Sequence, residues 1–526
     1  MLYQRKANTN VLSLLSMQSA NPQLQESIND LLEDCDEVLY LLKDTIRRLE
    51  QFLRDMNKNA RHIPTSLYPD VIHSAKRYIR LYSQFIEVLR IRKKTIVQDQ
   101  VTIDAIVTLR TTIQNMRDFL RTRQGEIGAL ITSTDWQSPS FLSSQQSQAG
   151  RQTGTIYETI NDYKRDQHWD ARKYELQFLK EYIDAYVKFP IRVLATSSGM
   201  AAFTIILNFL LLEQNITRPV LMGKSIYFEN KKLIKSAFGD LVEEVDENDT
   251  QVFLQTALRL NPSVIFLDSL TNAAGIAAPD LNTIIKGLLK QTKDETYCII
   301  DNTCLSVYFQ PFRLLLGRWT KLHCILFESL NKYHEFGMDR VTGGVLWGFT
   351  KDMEKLFDYR VHLGTNIPDT SAASLPSPNK ALLVKRLMRH NRNASLLAEK
   401  LQSWISAHPS SPFQAAWFPG LSNHPSYRWM HRSFCGSYLT IEFRKRYQKI
   451  HIYKRFIRLC IKRAKQKRIN LVSGTSFGLN TTRIYLTAIR TKPVTPFVRI
   501  AVGIEDRLVI EVLSRVFLDC FSSFRG

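Results

Sequence analysis

The sequence predicts an α/β protein built on a mostly parallel sheet, preceded by an all-α helical domain and completed by a small C-terminal α+β subdomain. Three observations carry this expectation. Between Leu24 and Met56 the residues at 24, 28, 31, 35, 38, 42, 45, 49, 52 and 56 step by four and three, and all but Thr45 are apolar or cysteine, the spacing of a heptad seam on one long helix. Further on, short apolar runs alternate with longer mixed segments: Arg192–Ala195, Val220–Met222, Val264–Leu267, Cys298–Ile300 and Cys324–Phe327. Runs of this length without polar alternation suit parallel strands covered on both faces by helices. From about Pro368 a long helical stretch leads to Tyr438–Phe443, whose alternation marks a strand of a smaller unit.

The first helix is broken by Pro64 and Pro69, because proline cannot donate the next helical hydrogen bond. A second amphipathic pattern follows at Ile72, Ala75, Ile79, Tyr82, Ile86 and Leu89, and a third at Ile106, Leu109, Ile113, Met116 and Leu120. Three such helices suit a small antiparallel bundle; a partner-binding coiled coil stays open as the other arrangement. Ser138–Gly154 holds nine Ser or Gln in seventeen residues, the composition of a linker. The domains expected are thus a helical domain over 1–130, a linker over 131–156, a large α/β domain over 157–370 and the α+β subdomain over 371–526.

Composition narrows the class. With 526 residues, 44% of them hydrophobic, the chain can bury several cores. Its seven cysteines are scattered and contain no CxxC pair, which argues against a zinc site or a secreted disulfide framework and fits a reducing compartment. Met1–Ala20 lacks the pattern of a secretory signal. Val193–Leu212 carries no charge for twenty residues, yet it opens with Val-Leu-Ala-Thr-Ser-Ser-Gly, so it reads as strand, turn and buried helix and not as a membrane span. A soluble, cytoplasmic protein is expected. The formal net charge is +22, and twelve of the twenty-five residues from Arg444 to Arg468 are Lys or Arg with no acid among them. Such a stripe can attract nucleic acid or an anionic membrane surface. Phe456, Leu459, Ile461 and Ala464 give it an apolar side, and no nucleic-acid fold motif accompanies it, so a solvated helix face is expected and nucleic acid is not expected as a partner.

Three segments could carry chemistry. In Thr196-Ser-Ser-Gly-Met-Ala-Ala-Phe203 a strand ends in small residues and opens a helix, aiming free backbone N–H groups at one spot that suits a phosphate. In Cys298-Ile-Ile-Asp-Asn-Thr303 an acid, Asp301, directly follows a buried strand, which requires a cationic partner, a cleft or a capping role. In Leu326-Phe-Glu-Ser-Leu-Asn-Lys-Tyr333 a lysine follows an apolar strand, poised for Schiff-base chemistry if its surroundings keep the amine neutral. Each alone is common, since many turns, caps and surface lysines look the same.

Together they match a family in type, order and approximate spacing. From about Tyr163 to Phe517 the chain resembles the pyridoxal-phosphate (PLP) enzymes of cysteine and methionine metabolism, the cystathionine γ-synthase/γ-lyase/β-lyase group. The strongest stretch is Val498-Arg-Ile-Ala-Val-Gly-Ile-Glu-Asp506, which is similar to the family's Arg-Leu-Ser-Val-Gly-Ile-Glu. The resemblance implies the PLP-dependent aminotransferase fold type I with a seven-stranded sheet, and it implies roles residue by residue. Arg499 falls on the arginine that grips the substrate α-carboxylate, a task that suits a bidentate guanidinium, and Ser476 on a serine that helps bind that carboxylate. Lys332 matches the Schiff-base lysine. Gly199 and Met200 fall on the amides that cradle the cofactor phosphate, and Ser329 on a phosphate-binding serine. Tyr227 matches the tyrosine stacked on the ring, Asn272 the asparagine by the ring hydroxyl, and Asp301 the aspartate that keeps the ring nitrogen protonated. Tyr163 and Arg165 resemble the Tyr-x-Arg that reaches across a dimer interface to the neighbour's phosphate.

The chain also departs from the family pattern. Gln167-His-Trp-Asp stands where Gly-Asn-Pro-Thr usually follows Tyr-x-Arg, Asn331 replaces a phosphate-binding threonine, and Asp268 and Leu270 replace the usual glutamate and proline. What the resemblance implies is γ-replacement or β/γ-elimination on a sulfur-containing or O-acylated amino acid, with PLP as cofactor, no metal, and a homodimer or homotetramer sharing active sites. The departures motivate the alternative of a degenerate, non-catalytic member that serves as a scaffold through its helical N-terminal domain.

Overall fold

The computed structural model describes residues 22–58, 68–98, 102–133, 165, 168–184, 190–315, 320–487 and 496–525. The expected linker beyond Ser133, and Tyr163, lie outside the described residues; the first two linker positions, Ile131 and Thr132, belong to a helix.

Among the described residues three helices come first: α1 (Pro22–Lys58), α2 (Tyr68–Gln98) and α3 (Ile103–Thr132). The α1 seam is buried at Ile28, Leu31, Cys35, Val38, Leu42, Thr45, Leu49, Phe52 and Met56, and it packs with Ala75, Tyr82, Ile86 and Leu89 of α2 and Ile106, Leu109, Ile113, Met116 and Leu120 of α3. The seam is therefore used within the chain, as a bundle. Helix α1 has a second buried side that the heptad pattern does not reveal. Asp30, Asp34, Glu37 and Asp44 are all buried, and most of their partners lie hundreds of residues away.

The α/β part begins with α4 (Trp169–Tyr182), β1 (Ile191–Thr196), α5 (Gly199–Leu212) and β2 (Val220–Gly223). It continues through α6 (Phe228–Phe238), β3 (Val242–Val245), α7 (Thr250–Leu260), β4 (Val264–Asp268), α8 (Leu281–Gln291), β5 (Thr296–Asp301), β6 (Leu322–Ser329) and β7 (Gly344–Phe349). These strands form one seven-stranded sheet in the order β1-β7-β6-β5-β4-β2-β3. Only β7 pairs antiparallel with its neighbours β6 and β1, so the five apolar runs picked out in the sequence all point the same way. Their full apolarity has a plain cause. Ile265 and Leu267 of β4 join an apolar cluster on one face, while Val264 and Phe266 join a different cluster on the other. The uncharged segment Val193–Leu212 is strand β1, a turn, and α5, and no helix among the described residues is long and apolar enough to cross a membrane.

After α9 (Thr350–His362), α10 (Asp369–Ser374) and the long α11 (Lys380–Ala407) comes a second, five-stranded sheet. Its strands are β8 (Phe413–Trp417), β9 (Tyr438–Phe443), β10 (Val472–Ser473), β11 (Arg483–Thr487) and β12 (Phe497–Ala501), ordered β10-β11-β12-β9-β8. The basic stripe forms α12 (Ile450–Gln466), and α13 (Arg507–Ser523) follows the last strand. The buried side of α12 is Ile452, Tyr453, Phe456, Ile457, Cys460 and Ala464. Leu459 and Ile461, expected there, are only partly buried, because the 3.6-residue period centres the stripe on 452, 456, 460 and 464 and leaves them at its flanks.

Candidate active site

All strands of the large sheet except the antiparallel β7 end at the same rim, and the chain turns there into the segments picked out from the sequence, as open α/β sheets place their ligands. A cavity of about 1250 Å³ opens at this rim and is lined by Gly199, Met200, Tyr227, Asn272, Asp301, Ser329, Asn331, Lys332, Ser476 and Arg499, among others. Ten expected residues thus converge on one space. Arg165 does not: it is exposed and sits beside Gly364, whose added Cβ would lie 3.7 Å from Arg165 Cδ.

The floor is built by α5. Ser198 caps the helix, its Oγ accepting from the Ala201 amide at 3.0 Å, so the Gly199 and Met200 amides of the first turn have no intrahelical acceptor. Gly199 lets this turn approach β6: a Cβ there would lie 3.0 Å from the Cβ of Ser329 and 3.1 Å from its Cα. At the end of β6 the Ser329 amide donates to Thr303 Oγ1 at 3.0 Å, and the Ser329 hydroxyl donates to Asn331 Oδ1. Free amides, a hydroxyl and a side-chain amide gathered at a helix N-terminus suit a phosphate.

Asp301 and Asp268 end neighbouring strands and are paired in register, so the two carboxyl groups share one face. Burial, and then the nearby Glu328, pushes Asp301 up to about 6 against the pull of the Thr303 hydrogen bond. Burial and the Asp301 charge push Asp268 up too. Asp268 was not among the residues expected from the sequence, although it ends a strand just as Asp301 does, and that was the available signal. Its Oδ2 accepts from the Tyr227 amide at 2.8 Å and so fixes the start of α6. Among the described residues no lysine or arginine forms an ion pair with Asp301. A buried acid in this state suits a protonated ring nitrogen.

Lys332 faces this pair across the cavity. Burial lowers its affinity for a proton, and Arg499 lowers it further. Its Nζ donates to Ser476 Oγ at 3.0 Å and lies 5.6 Å from the centre of the Phe477 ring. Arg499, in the middle of the small sheet, donates from Nη1 to Asn272 Oδ1 at 2.6 Å and from Nη2 to the Ser476 carbonyl at 3.4 Å. Its Nε is buried without a hydrogen-bond partner, an orphan donor of the kind an anionic ligand satisfies. Burial, and then Glu229, holds the Tyr227 hydroxyl well above its ordinary value, so it keeps its proton. Tyr485, Thr487, Phe497 and Lys454 of the basic helix complete the wall, and sequence motifs gave no signal for them. The residues present therefore fit PLP: a phosphate cradle, a buried acid, a weakly basic lysine and an orphaned arginine donor surround one cavity.

Comparison with known proteins agrees. The family model for Cys/Met metabolism PLP-dependent enzymes matches residues 140–510. Bifunctional enzyme flvA of Aspergillus flavus is 26% identical over 364 residues, 68% of this chain and 42% of its own length. Cystathionine beta-lyase of Saccharomyces cerevisiae is 28% identical over 254 residues, 46% of this chain and 52% of its own. The chain thus spans about half the length of these relatives. Among solved structures, cystathionine gamma synthase of Xanthomonas oryzae, in complex with cystathionine, superimposes with a TM-score of 0.55 at 18% identity, covering 70% of this chain and 89% of that one. Cystathionine gamma-lyase of Lactobacillus plantarum gives 0.54 at 18%, covering 70% and 91%. At these identities the likeness is one of fold.

Proposed function

We propose, because this chain belongs to the Cys/Met metabolism PLP-dependent enzyme family, that it is a transsulfuration-type enzyme in which Lys332 holds the cofactor. The reaction proposed is γ-replacement or β/γ-elimination on a sulfur-containing or O-acylated amino acid. The observation that carries this reading is the setting of the Lys332 amine, partly buried, poorly basic and 3.0 Å from Ser476 Oγ, in the cavity shared with Gly199, Asp301 and Arg499.

When bound, PLP supplies an electron sink for a carbanion at the substrate Cα. The residues of the chain do the rest. The Gly199 and Met200 amides with Ser329 and Asn331 hold the phosphate, and Asp301 keeps a proton on the ring nitrogen. Arg499 offers its unpartnered Nε to the substrate carboxylate, assisted by Ser476, and so sets which Cα bond is broken. Lys332, neutral when freed, takes the Cα proton and returns it further along the side chain. Tyr227, which keeps its proton, donates it to the departing sulfur or oxygen. Asn272 holds Arg499 in place.

The exposed Arg165, outside its own cavity, is read with Tyr163 as serving the phosphate of a second copy, which requires a homodimer or a larger homo-oligomer. The division into a helical domain, a linker, a cofactor domain and a C-terminal subdomain is part of the same proposal. A cytoplasmic site of action goes with it, in keeping with seven free, buried cysteines.

The test is colour and turnover. Purified protein, incubated with PLP and then freed of the unbound excess, is expected to be yellow and Lys332→Ala colourless. Turnover of cystathionine, homocysteine or O-acylhomoserines, with and without cysteine, then separates elimination from replacement. A parent protein that keeps no cofactor band once excess PLP has been removed would sink the reading.

A further inference from the structure

The bundle touches the two segments that build the lysine side of the cavity. The first follows Lys332 directly. Phe336 and Met338 are buried in the bundle's own apolar cluster, Phe336 lies 6.3 Å from the Tyr40 ring of α1, and Arg121 of α3 donates from Nε to the Met338 carbonyl at 2.8 Å. This stretch is bent through left-handed backbone at Phe336 (φ 51°), Gly337 (80°) and Asp339 (51°). Such conformations are unfavourable for residues with side chains and persist where the surroundings impose them.

The second segment carries Ser476 (φ 71°), Gly478 (φ 78°) and Asn480. Its anchor is Arg386 of α11, fully buried, which donates from Nη2 to Asn480 Oδ1 at 2.6 Å and to the Gly478 carbonyl at 3.1 Å. The other nitrogen of the same guanidinium, Nη1, is held by both oxygens of Glu37 in α1, at 3.0 and 3.1 Å. Arg117 of α3 donates to Glu37 as well, at 2.8 Å. Burial alone would raise Glu37, but Arg386 and Arg117 outweigh it and keep the carboxylate charged. A buried guanidinium that lost this carboxylate would lose its orientation along with its counter-charge.

We infer that Glu37 is a positioning residue for the active site: through Arg386 it fixes the Ser476–Asn480 segment against Lys332, so that the helical bundle is a working part of the catalytic centre. The inference rests on Lys332 being the cofactor lysine. The bundle would then govern how Lys332 and Ser476 meet without any of its residues touching cofactor or substrate.

The experiment uses the full chain and compares Glu37→Gln with Arg110→Ala. The second variant breaks the Arg110–Asp506 ion pair (2.7 Å), which also joins bundle to body but hydrogen-bonds to neither segment. Amide hydrogen exchange is read at 332–341 and 474–480, and the pH midpoint of the bound cofactor's visible band is read alongside. Glu37→Gln is expected to speed exchange in both segments by about tenfold or more and to move the midpoint, while Arg110→Ala lowers thermal stability and moves neither. Equal exchange in the two variants overturns the inference. Exchange needs no cofactor, so it decides the clamp even if Lys332→Ala shows the lysine assignment to be wrong. Arg386→Lys, which keeps the charge and loses the fork, is expected to fall between parent and Glu37→Gln, and parent-like exchange in it would also count against the clamp.

Discussion

Gly478 rests on the backbone of Lys332: a Cβ added at Gly478 would lie 2.3 Å from the Lys332 carbonyl oxygen and 2.7 Å from Cδ1 of Tyr333. The φ of +78° at Gly478 is itself a conformation that only glycine adopts readily. Gly478→Ala is therefore expected to push the Ser476 segment off the lysine, at a cost of about 1–3 kcal/mol in strain. Thermal unfolding and steady-state kinetics check this, with kcat expected to fall even where the variant is folded. Parent-like kcat and stability would show that the contact is slack.

Asp301 gives a prediction with a definite sign. Its carboxyl is raised in the folded protein to about 6, so the folded state without cofactor binds a proton that the unfolded chain has released at that pH. On this group's account, stability is highest below the ordinary carboxylate value and falls as pH rises through 6. Asp301→Asn removes that loss. The cofactor-free variant is expected to be more stable than the parent at pH 8, by up to about 3 kcal/mol, and no more stable at pH 4. The same variant is expected to lose turnover. Chemical denaturation at the two pH values measures the difference, and an equal effect at both would refute it.

Arg499→Lys tests the orphaned donor. Lysine keeps the charge but cannot hold Asn272 and a carboxylate together as a planar fork does. The expected result is a fall in kcat/KM of about 10–100-fold, or roughly 1.4–2.8 kcal/mol, with cofactor content unchanged. Loss of the cofactor itself would reassign Arg499.

Arg117 tests the buried ion cluster as a stability element. Its Nη2 lies 3.0 Å from Asp34 and 2.8 Å from Glu37, with all three side chains at most one-tenth exposed. Arg117→Ala leaves two buried acids short of a partner and is expected to cost about 3–5 kcal/mol, read as a large drop in Tm that added salt does not mimic. A drop of a degree or two would place the cluster with ordinary surface pairs.

Much of the fold could be read from the chain because its signals are periodic. The α1 seam and the apolar runs of the large sheet are repeats of 3.5 and of continuous burial, and tertiary packing reinforces both. Strand β3, Val242-Glu-Glu-Val245, gives no such signal because it lies at the sheet edge, where only Val245 of its four residues is buried. Strand β7 was missed because it opens on the Gly343-Gly344 pair. That pair is there for close approach, since a Cβ on Gly344 would lie 2.3 Å from the Ser198 carbonyl oxygen. In the site, residues at strand ends were legible and those on the far wall were not. Lys454 of α12 and Tyr485 of β11 line the cavity together with residues from the rim of the large sheet, far away in the chain. The acids of α1 were hidden for the same reason: nothing near Asp34 or Glu37 in the chain announces arginines some 350 positions later.

That separation sets an order of events during synthesis. Helices α1–α3 leave the ribosome well before Arg386, Arg389 and Arg392, which bind Glu37, Asp34 and Asp30 and follow about 250 residues behind α3. At the usual pace of translation the interval is some tens of seconds. Through that time the bundle can close its leucine seam on itself and wait with carboxylates facing water, where they are well solvated and keep young chains apart by repulsion. An apolar docking face of the same area would have been an adhesive surface for as long. The charged seam between the halves is thus suited to a joint that has to be made late.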